Sequence, residues 1–146
     1  MTYFKSVCTV AAVFFALPAF AEGITISDAY ARSSAMMSQS GAAFMVIQND
    51  AEADDRLLSA SSDAAKMVQL HTHKQDASGV MQMIEVPEGF VIPAKGTHAL
   101  ARGADHVMFM GLSQPWKQGD VLHVTLTFEK AGEVKIDVPV DLTREE

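Results

Sequence analysis

The segment His106–Leu112 alternates two kinds of side chain, and this alternation constrains the fold of the chain more than any other feature. Successive side chains of a β-strand point to opposite faces, so His106, Met108 and Met110 share one face. The valine and phenylalanine between them take the other face. The segment therefore predicts a strand that buries one face in a core and presents imidazole and thioether groups on the other.

Two further segments show the same alternation of side chains. In Met67–His73, one face carries Met67, Gln69, His71 and His73; in Val80–Val86, one face carries Met81, Met83 and Glu85. Turn-forming residues separate these two segments, which predicts a β-hairpin. Thioether and imidazole groups without a thiolate form a ligand set that favours Cu(I). The three segments together predict strands that could supply a copper site.

The rest of the chain has a similar pattern of short apolar segments. Turn signals recur about every 8–12 residues, which predicts about eight or nine short strands and no helix longer than a turn or two. A pattern of this kind is typical of an all-β sandwich or barrel.

The first 21 residues have the features of a secretory signal peptide. Lys5 supplies a basic start, an apolar run covers Val10–Leu17, and Ala19–Ala21 forms a small-x-small cleavage site. An uncleaved membrane anchor is the alternative, but the run is shorter than the roughly 20 residues that a span requires. We therefore expect a signal peptide at residues 1–21, a single domain at residues 22–146 with no membrane span, and export to the periplasm.

Composition excludes several classes of protein. Cys8 is the only cysteine and lies inside the signal, so the mature chain has no disulfide, thiolate metal site or cysteine nucleophile. Because most of the apolar run follows Cys8, we discount a lipoprotein. Signal removal takes away one lysine and no acid, which changes the net charge from −7 to −8. An acidic chain without a basic stripe is a poor nucleic-acid binder, and the absence of recognisable catalytic motifs predicts that the chain is not an enzyme.

The residues alone leave the metal site open. His106 and Met108 would be joined by His71 and by either Met81 or Met83, with Cu(I) preferred and Cu(II) favoured only if nitrogen ligands dominate. The alternative is that the methionines are ordinary core side chains or a surface that docks a partner without metal. His73 is an alternative ligand, although a non-ligand role is the better expectation for it and for the two remaining histidines, His98 and His123.

A run of sequence blocks resembles the PCuAC-type periplasmic copper chaperones. The blocks are Asp28–Arg32, Ala42–Met45, Asn49, Asp55–Leu58, Val68–Thr72, Gly79–Met83, Ile92–Ala94, His106–Met108, Met110–Leu112 and Leu126–Gly132. They occur in the family's order over nearly all of the mature chain. The resemblance implies a cupredoxin-like, Greek-key β-sandwich that carries copper toward cytochrome c oxidase.

The family's copper motif is a histidine, a methionine about eleven positions later and a distal His-x-Met. Carried over, it implies that the ligands are His71, Met83, His106 and Met108. In the family, ten residues separate the first histidine from its methionine; here Met81 leaves nine and Met83 leaves eleven. We prefer Met83, because it is the second methionine of its block and one extra loop residue explains the offset.

The resemblance also implies partners and a route for the copper. We expect a monomer that delivers Cu(I) to an acceptor protein, either subunit II of cytochrome c oxidase, which holds the CuA centre, or another copper chaperone. The competing hypotheses are a metal-free, Met-rich docking domain and a copper-dependent redox enzyme. The second would need an open coordination position, for which the sequence gives no indication.

Overall fold

The computed structural model describes residues 20–21, 23–33 and 39–144. Most of the predicted signal peptide, including Cys8, lies outside the described residues. The strands are β1 (Phe20–Ala21), β2 (Ile24–Ser33), β3 (Ser40–Asn49), β4 (Asp55–Ser61), β5 (Ala65–Gln75), β6 (Met81–Glu85), β7 (Phe90–Ile92), β8 (Gly96–Leu100), β9 (His106–Leu112), β10 (Val121–Phe128) and β11 (Gly132–Pro139). The described ranges contain no helix, and therefore none that is long and apolar enough to cross a membrane.

The strands form two antiparallel sheets that pack face to face. The larger sheet has the order β1-β2-β3-β9-β5-β6, with β8 also paired to β3, and the smaller has the order β11-β10-β4-β7. Neighbours such as β3, β9 and β5 are not consecutive in sequence, which is the hallmark of Greek-key connections. The predicted all-β sandwich is therefore confirmed.

The structure has eleven strands rather than the predicted eight or nine. The difference arises because very short strands carry too few residues to show alternation: β7 has three residues and β1 has two. The two residues of β1 are the last two before the predicted cleavage point. Cleavage there would leave ten strands.

One apolar core fills the space between the sheets. The alternating residues of β9 divide as the sequence predicted, with Val107 and Phe109 fully buried in this core. Met108 and Met110 on the opposite face are only half-buried. The outer face of the larger sheet therefore carries the methionines of β9.

A β-bulge in β2 decides which of its side chains reach that outer face. Before the bulge, Ile24 and Ile26 point into the core; the pairing with β3 then shifts between Ser27 and Tyr30, and Asp28 adopts a positive φ of 53°. The extra residue inverts the alternation, because side-chain direction has a period of two. Tyr30 and Arg32 consequently lie on the outer face, opposite Phe44 and Ala42 of β3.

The bulge also holds the end of the described chain. Arg144 forms a two-pronged ion pair with the Asp28 carboxylate, with N–O distances of 2.9 and 2.6 Å. Its guanidinium lies 4.0 Å from the centre of the Tyr30 ring, and its backbone carbonyl accepts a hydrogen bond from Arg32. Three side chains of β2 therefore fix the segment that follows β11 against the outer face.

Gly41 of β3 gives a test of the packing beneath this face. A Cβ at Gly41 would lie 2.2 Å from Cζ3 of Trp116, whose ring packs edge-on against Phe109 at 5.3 Å. The same Cβ would also lie 2.9 Å from the backbone carbonyl oxygen of Arg32. We expect Gly41→Ala to lower the free energy of unfolding by about 1–3 kcal/mol, because the buried indole must shift. Urea denaturation measures this loss.

The matched control for Gly41→Ala is a double-mutant cycle with Trp116→Leu. If the indole is the obstacle, the alanine costs much less in the Trp116→Leu background, and the two changes are strongly non-additive. Equal losses in both backgrounds would show that the clash lies elsewhere.

Candidate metal centre

The register of β9, β5 and β6 brings the predicted ligands onto one face. His71 of β5 lies directly opposite His106 of β9, and Gln69 lies opposite Met108. On the other side of β5, His73 lies opposite Met83 of β6. Directly opposed side chains have Cβ atoms about 4.5–5.5 Å apart. Imidazole and thioether groups from three adjacent strands are thus concentrated in one small area of the outer face.

The His106 ring lies at the centre of this area. Its centroid is 6.0 Å from that of His71, 5.3 Å from that of His73 and 6.2 Å from that of Phe44. These neighbours leave only 2% of His106 exposed, although the residue belongs to the outer face. The sequence predicted that His106 lies on the same face as the methionines, which is the outer face. The deep burial of His106 depends also on the ring of Phe44, which β3 contributes.

A hydrogen bond fixes the protonation of His106. Its Nδ1 lies 2.9 Å from the carbonyl oxygen of Ala104. Because a carbonyl oxygen can only accept, Nδ1 carries the proton and donates it. In the neutral ring Nε2 then has a lone pair that can bind a metal, and backbone carbonyls commonly orient metal-binding histidines in this way.

His71 has a buried nitrogen without a partner. Its Nε2 lies 2.9 Å from Oε1 of Gln69, an acceptor, so Nε2 carries the proton and Nδ1 has the lone pair. Nδ1 is buried and has no hydrogen-bond partner among the described residues. An unsatisfied buried polar atom is uncommon and costs about 1–3 kcal/mol. A soft metal ion bound at this atom would remove that cost.

Burial makes both histidines harder to protonate. Loss of hydration lowers the pKa of His71, against the opposing effect of Glu85, which lies opposite it on β6. Loss of hydration also lowers the pKa of His106; the hydrogen bond to Ala104 opposes this shift, and the nearby His73 and His71 add to it. Neutral imidazole is the form that binds metal, so both shifts favour binding.

A cavity of about 790 Å³ opens beside these residues. Its lining includes four of the donor side chains, His73, Met83, His106 and Met108. The other lining residues are Tyr30, Arg32, Ser33, Ser40, Gly41, Ala42, Phe44, Ala101, Arg102 and Gly103. His71 lies next to His106 but does not line the cavity. The alternation of side chains along the sequence does not indicate that β2 and the turn before β9 contribute to the cavity walls.

The two candidate methionines of β6 differ in their surroundings. Both are exposed, Met81 at 58% and Met83 at 50%. Met83 lies opposite His73 and lines the cavity, whereas Met81 lies opposite Gln75, one step closer to the hairpin loop. Of the two, Met83 is the one whose side chain adjoins both the cavity and His73.

Nitrogen and oxygen donors do not form a site by themselves. Among the residues that the structure describes, no three of the histidine, cysteine, aspartate and glutamate side chains are grouped so that they could hold an ion. The methionine sulfurs of the same face add soft donors to the imidazoles. Such a mixed set suits Cu(I) and offers little to Zn²⁺ or Ca²⁺.

The other two histidines lie elsewhere. His98 stacks on Phe90 at 5.5 Å, and its Nε2 lies 2.8 Å from a carboxylate oxygen of Asp105. His123 of β10 is exposed on the smaller sheet and pairs with Asp137 at 2.8 Å. Neither lines the cavity, which is consistent with the non-ligand roles expected for both.

Comparison with known proteins establishes the class to which the chain belongs. The copper-bound PCuAC domain from PmoF2 superposes with a TM-score of 0.70 and 25% identity, over 86% of this chain and 99% of that domain. The Cu(I) form of DR1885 from Deinococcus radiodurans has a TM-score of 0.62 and 30% identity, over 81% of this chain and 79% of that one. The fold is therefore that of PCuAC domains, which confirms the cupredoxin-like sandwich and the PCuAC-type resemblance.

The family follows from the sequence comparisons. A family model described as "Putative lipoprotein LpqE-like" matches residues 24–140. A putative lipoprotein of Leifsonia xyli subsp. xyli is 35% identical over 120 residues, which cover 82% of this chain and 70% of that protein. The chain belongs to the LpqE-like family.

The lowered pKa of His106 predicts how the metal-free protein responds to pH. The unfolded chain has an ordinary histidine pKa of about 6.5 and so binds more protons than the folded state just below that pH. We therefore expect the free energy of unfolding to fall as the pH drops through about 6.5 toward the lowered folded pKa. Urea titrations of metal-free protein across this range measure the slope.

The variant for this test is His106→Gln. His106→Gln should flatten the slope, because the buried titrating group is gone, while His71 keeps part of it. If His106→Gln leaves the pH dependence of the unfolding free energy unaltered, the lowered pKa of His106 is not its cause.

Proposed function

We propose that this protein is a periplasmic copper chaperone that holds Cu(I) through His71, Met83, His106 and Met108 and passes it to an acceptor protein. The unpartnered, buried Nδ1 of His71 beside the oriented ring of His106 is the observation that carries this proposal. The methionines on the same face supply the soft donors. The solved relatives include a copper-bound PCuAC domain and a Cu(I)-bound protein, which supports copper as the cargo.

The donor set suits delivery rather than permanent storage. All four groups are neutral, so the site would hold Cu(I) without the charge attraction that a thiolate supplies. An acceptor with thiolate ligands binds Cu(I) more strongly, because thiolate is a softer and more basic donor. We infer that the acceptor is such a site, with the CuA centre of cytochrome c oxidase subunit II or another copper chaperone as the candidates.

His73 is the second imidazole to consider for the site. Its ring is closer to His106 than the His71 ring is, and it lines the cavity together with Met83. The position of the copper depends on which of the two histidines is the ligand. If His71 is the ligand, its buried nitrogen is satisfied by copper; if His73 is the ligand, the copper lies in the cavity.

An anaerobic Cu(I) competition titration against a chromophoric chelator tests the site. We expect the wild type to bind one equivalent and the His106→Ala, Met108→Leu double variant to lose it. Removal of one ligand should weaken binding by at least about tenfold, since losing a residue that only hydrogen-bonds to a ligand already lowers metal affinity by about 10–100-fold. Competition by neither protein would favour the metal-free, Met-rich docking domain.

Matched pairs of variants locate the remaining ligands in the same titration. Met83→Leu should weaken Cu(I) binding, whereas Met81→Leu, two residues away on the same exposed face, should not. His71→Gln compared with His73→Gln assigns the first histidine. Equal effects of Met81→Leu and Met83→Leu would contradict the proposed ligand set.

The family name bears on where the protein works. Both the family model and the Leifsonia relative are described as putative lipoproteins, which supports a location outside the cytoplasm. For this chain we propose cleavage after Ala21 by signal peptidase, because the apolar run mostly follows Cys8. Release into the periplasm follows from that processing, and we propose that the released protein is a monomer.

The intact mass of the exported protein tests this processing. Expression of the full chain in a Gram-negative host should give a periplasmic protein that begins at Glu22 and carries no lipid. A lipoprotein would begin at Cys8, carry acyl chains and partition into detergent. Recovery of that form would overturn the proposed route while leaving the copper site untouched.

A further inference from the structure

A second pair of methionines lies on the outer face, beyond the four proposed copper ligands, which form the His/Met site. Met67 of β5 lies directly opposite Met110 of β9, and both share the face of Met108. Met67 is 51% exposed and Met110 is half-buried. Both side chains therefore belong to the surface of the sheet rather than to the core between the sheets.

The spacing of the two side chains suits a shared ligand. Directly opposed residues of antiparallel strands have Cβ atoms about 4.5–5.5 Å apart. A methionine side chain is unbranched and has three rotatable bonds, so its sulfur adapts its position easily. Two such sulfurs can approach one small ion from both sides.

The pair is separate from the His/Met site. Each residue of a strand advances about 3.4 Å, which puts Met110 about 13–14 Å along β9 from His106, with Met108 midway between them. The pair shares no residue with the four proposed ligands. An ion held by Met67 and Met110 could therefore be bound at the same time as an ion in the His/Met site.

We propose that Met67 and Met110 form a second Cu(I) site, built from thioethers alone. Cu(I) is a soft ion that accepts thioether ligands, whereas Zn²⁺ prefers nitrogen and thiolate and Ca²⁺ prefers oxygen. Two neutral sulfurs without an imidazole bind more weakly than the His/Met site does, by at least about tenfold, the factor expected for the loss of one ligand.

Met81 of β6 provides the contrast to this pair. It is also a methionine of the outer face and is exposed to a similar extent, at 58%. The residue directly opposite Met81 is Gln75, whose side chain is an amide and not a thioether. Met67 and Met81 therefore differ in whether a second sulfur lies across the strand pair.

NMR of the exported protein, labelled with ¹³C at the methionine methyl groups, tests the second site. Cu(I) is added anaerobically without a chelator, because a chelator that competes with the His/Met site would empty a weaker one. We expect the first equivalent to shift the signals of Met83 and Met108. The second equivalent should shift those of Met67 and Met110, while the signal of the buried Met45 stays in place.

Matched variants test whether the pairing of sulfurs matters. Met67→Leu should weaken binding of the second equivalent by at least about tenfold. It should leave the affinity for the first within about twofold, because the two sites share no ligand. Met81→Leu, the same change at a similarly exposed position, should weaken the second equivalent by less than about twofold. Equal weakening by both variants would mean that any exposed methionine binds Cu(I), and would overturn the proposal.

The His106→Ala, Met108→Leu double variant separates this inference from the proposed function. It should lose the first binding event, whereas the signals of Met67 and Met110 should still respond to Cu(I). If two equivalents leave these signals of the wild type unmoved, the second site is wrong, whether or not the first event occurs. If they move while those of Met83 and Met108 do not, the second site stands and the proposed function fails.

Discussion

The cross-strand register between β5 and β9 is the constraint on which the candidate site depends. It places His71 opposite His106 and Gln69 opposite Met108. A slip of one residue would turn every side chain of a strand to the other face. Such a slip would expose Val107 and Phe109 and bury polar groups in their place, so the core enforces the register. Burial on the inner face thereby fixes the positions of the imidazoles on the outer face.

The sequence predicted what depends on local alternation and missed what depends on contacts between distant strands. Alternation located the strand of His106 and the hairpin of Met83, and it placed their donors on shared faces. It gave no indication of the bulge at Asp28, because one inserted residue looks the same as an ordinary strand residue. It therefore missed Arg32 as part of the cavity wall. The choice between Met81 and Met83 stayed open because it depends on the register of the hairpin.

The deep burial of His106 and the partial burial of His71 have several effects. Phe44 and the neighbouring imidazoles exclude water from His106, while Gln69 and the sheet enclose His71. Dehydration disfavours the imidazolium and keeps lone pairs available. It also leaves the Nδ1 of His71 unsatisfied, a cost that the fold tolerates because the core beneath is extensive.

Core and donor residues alternate along the same strands, and this arrangement separates the two kinds of change that evolution can make. A substitution at an odd-numbered core position of β9 alters packing, whereas one at an even-numbered position alters chemistry. A lineage could thus lose or exchange its donors one at a time while the sandwich stays intact. Paralogues with this fold and a different cargo, or none, are accessible through single substitutions on the outer face. Among related proteins, the core residues can therefore be conserved while the histidine and methionine donors are not.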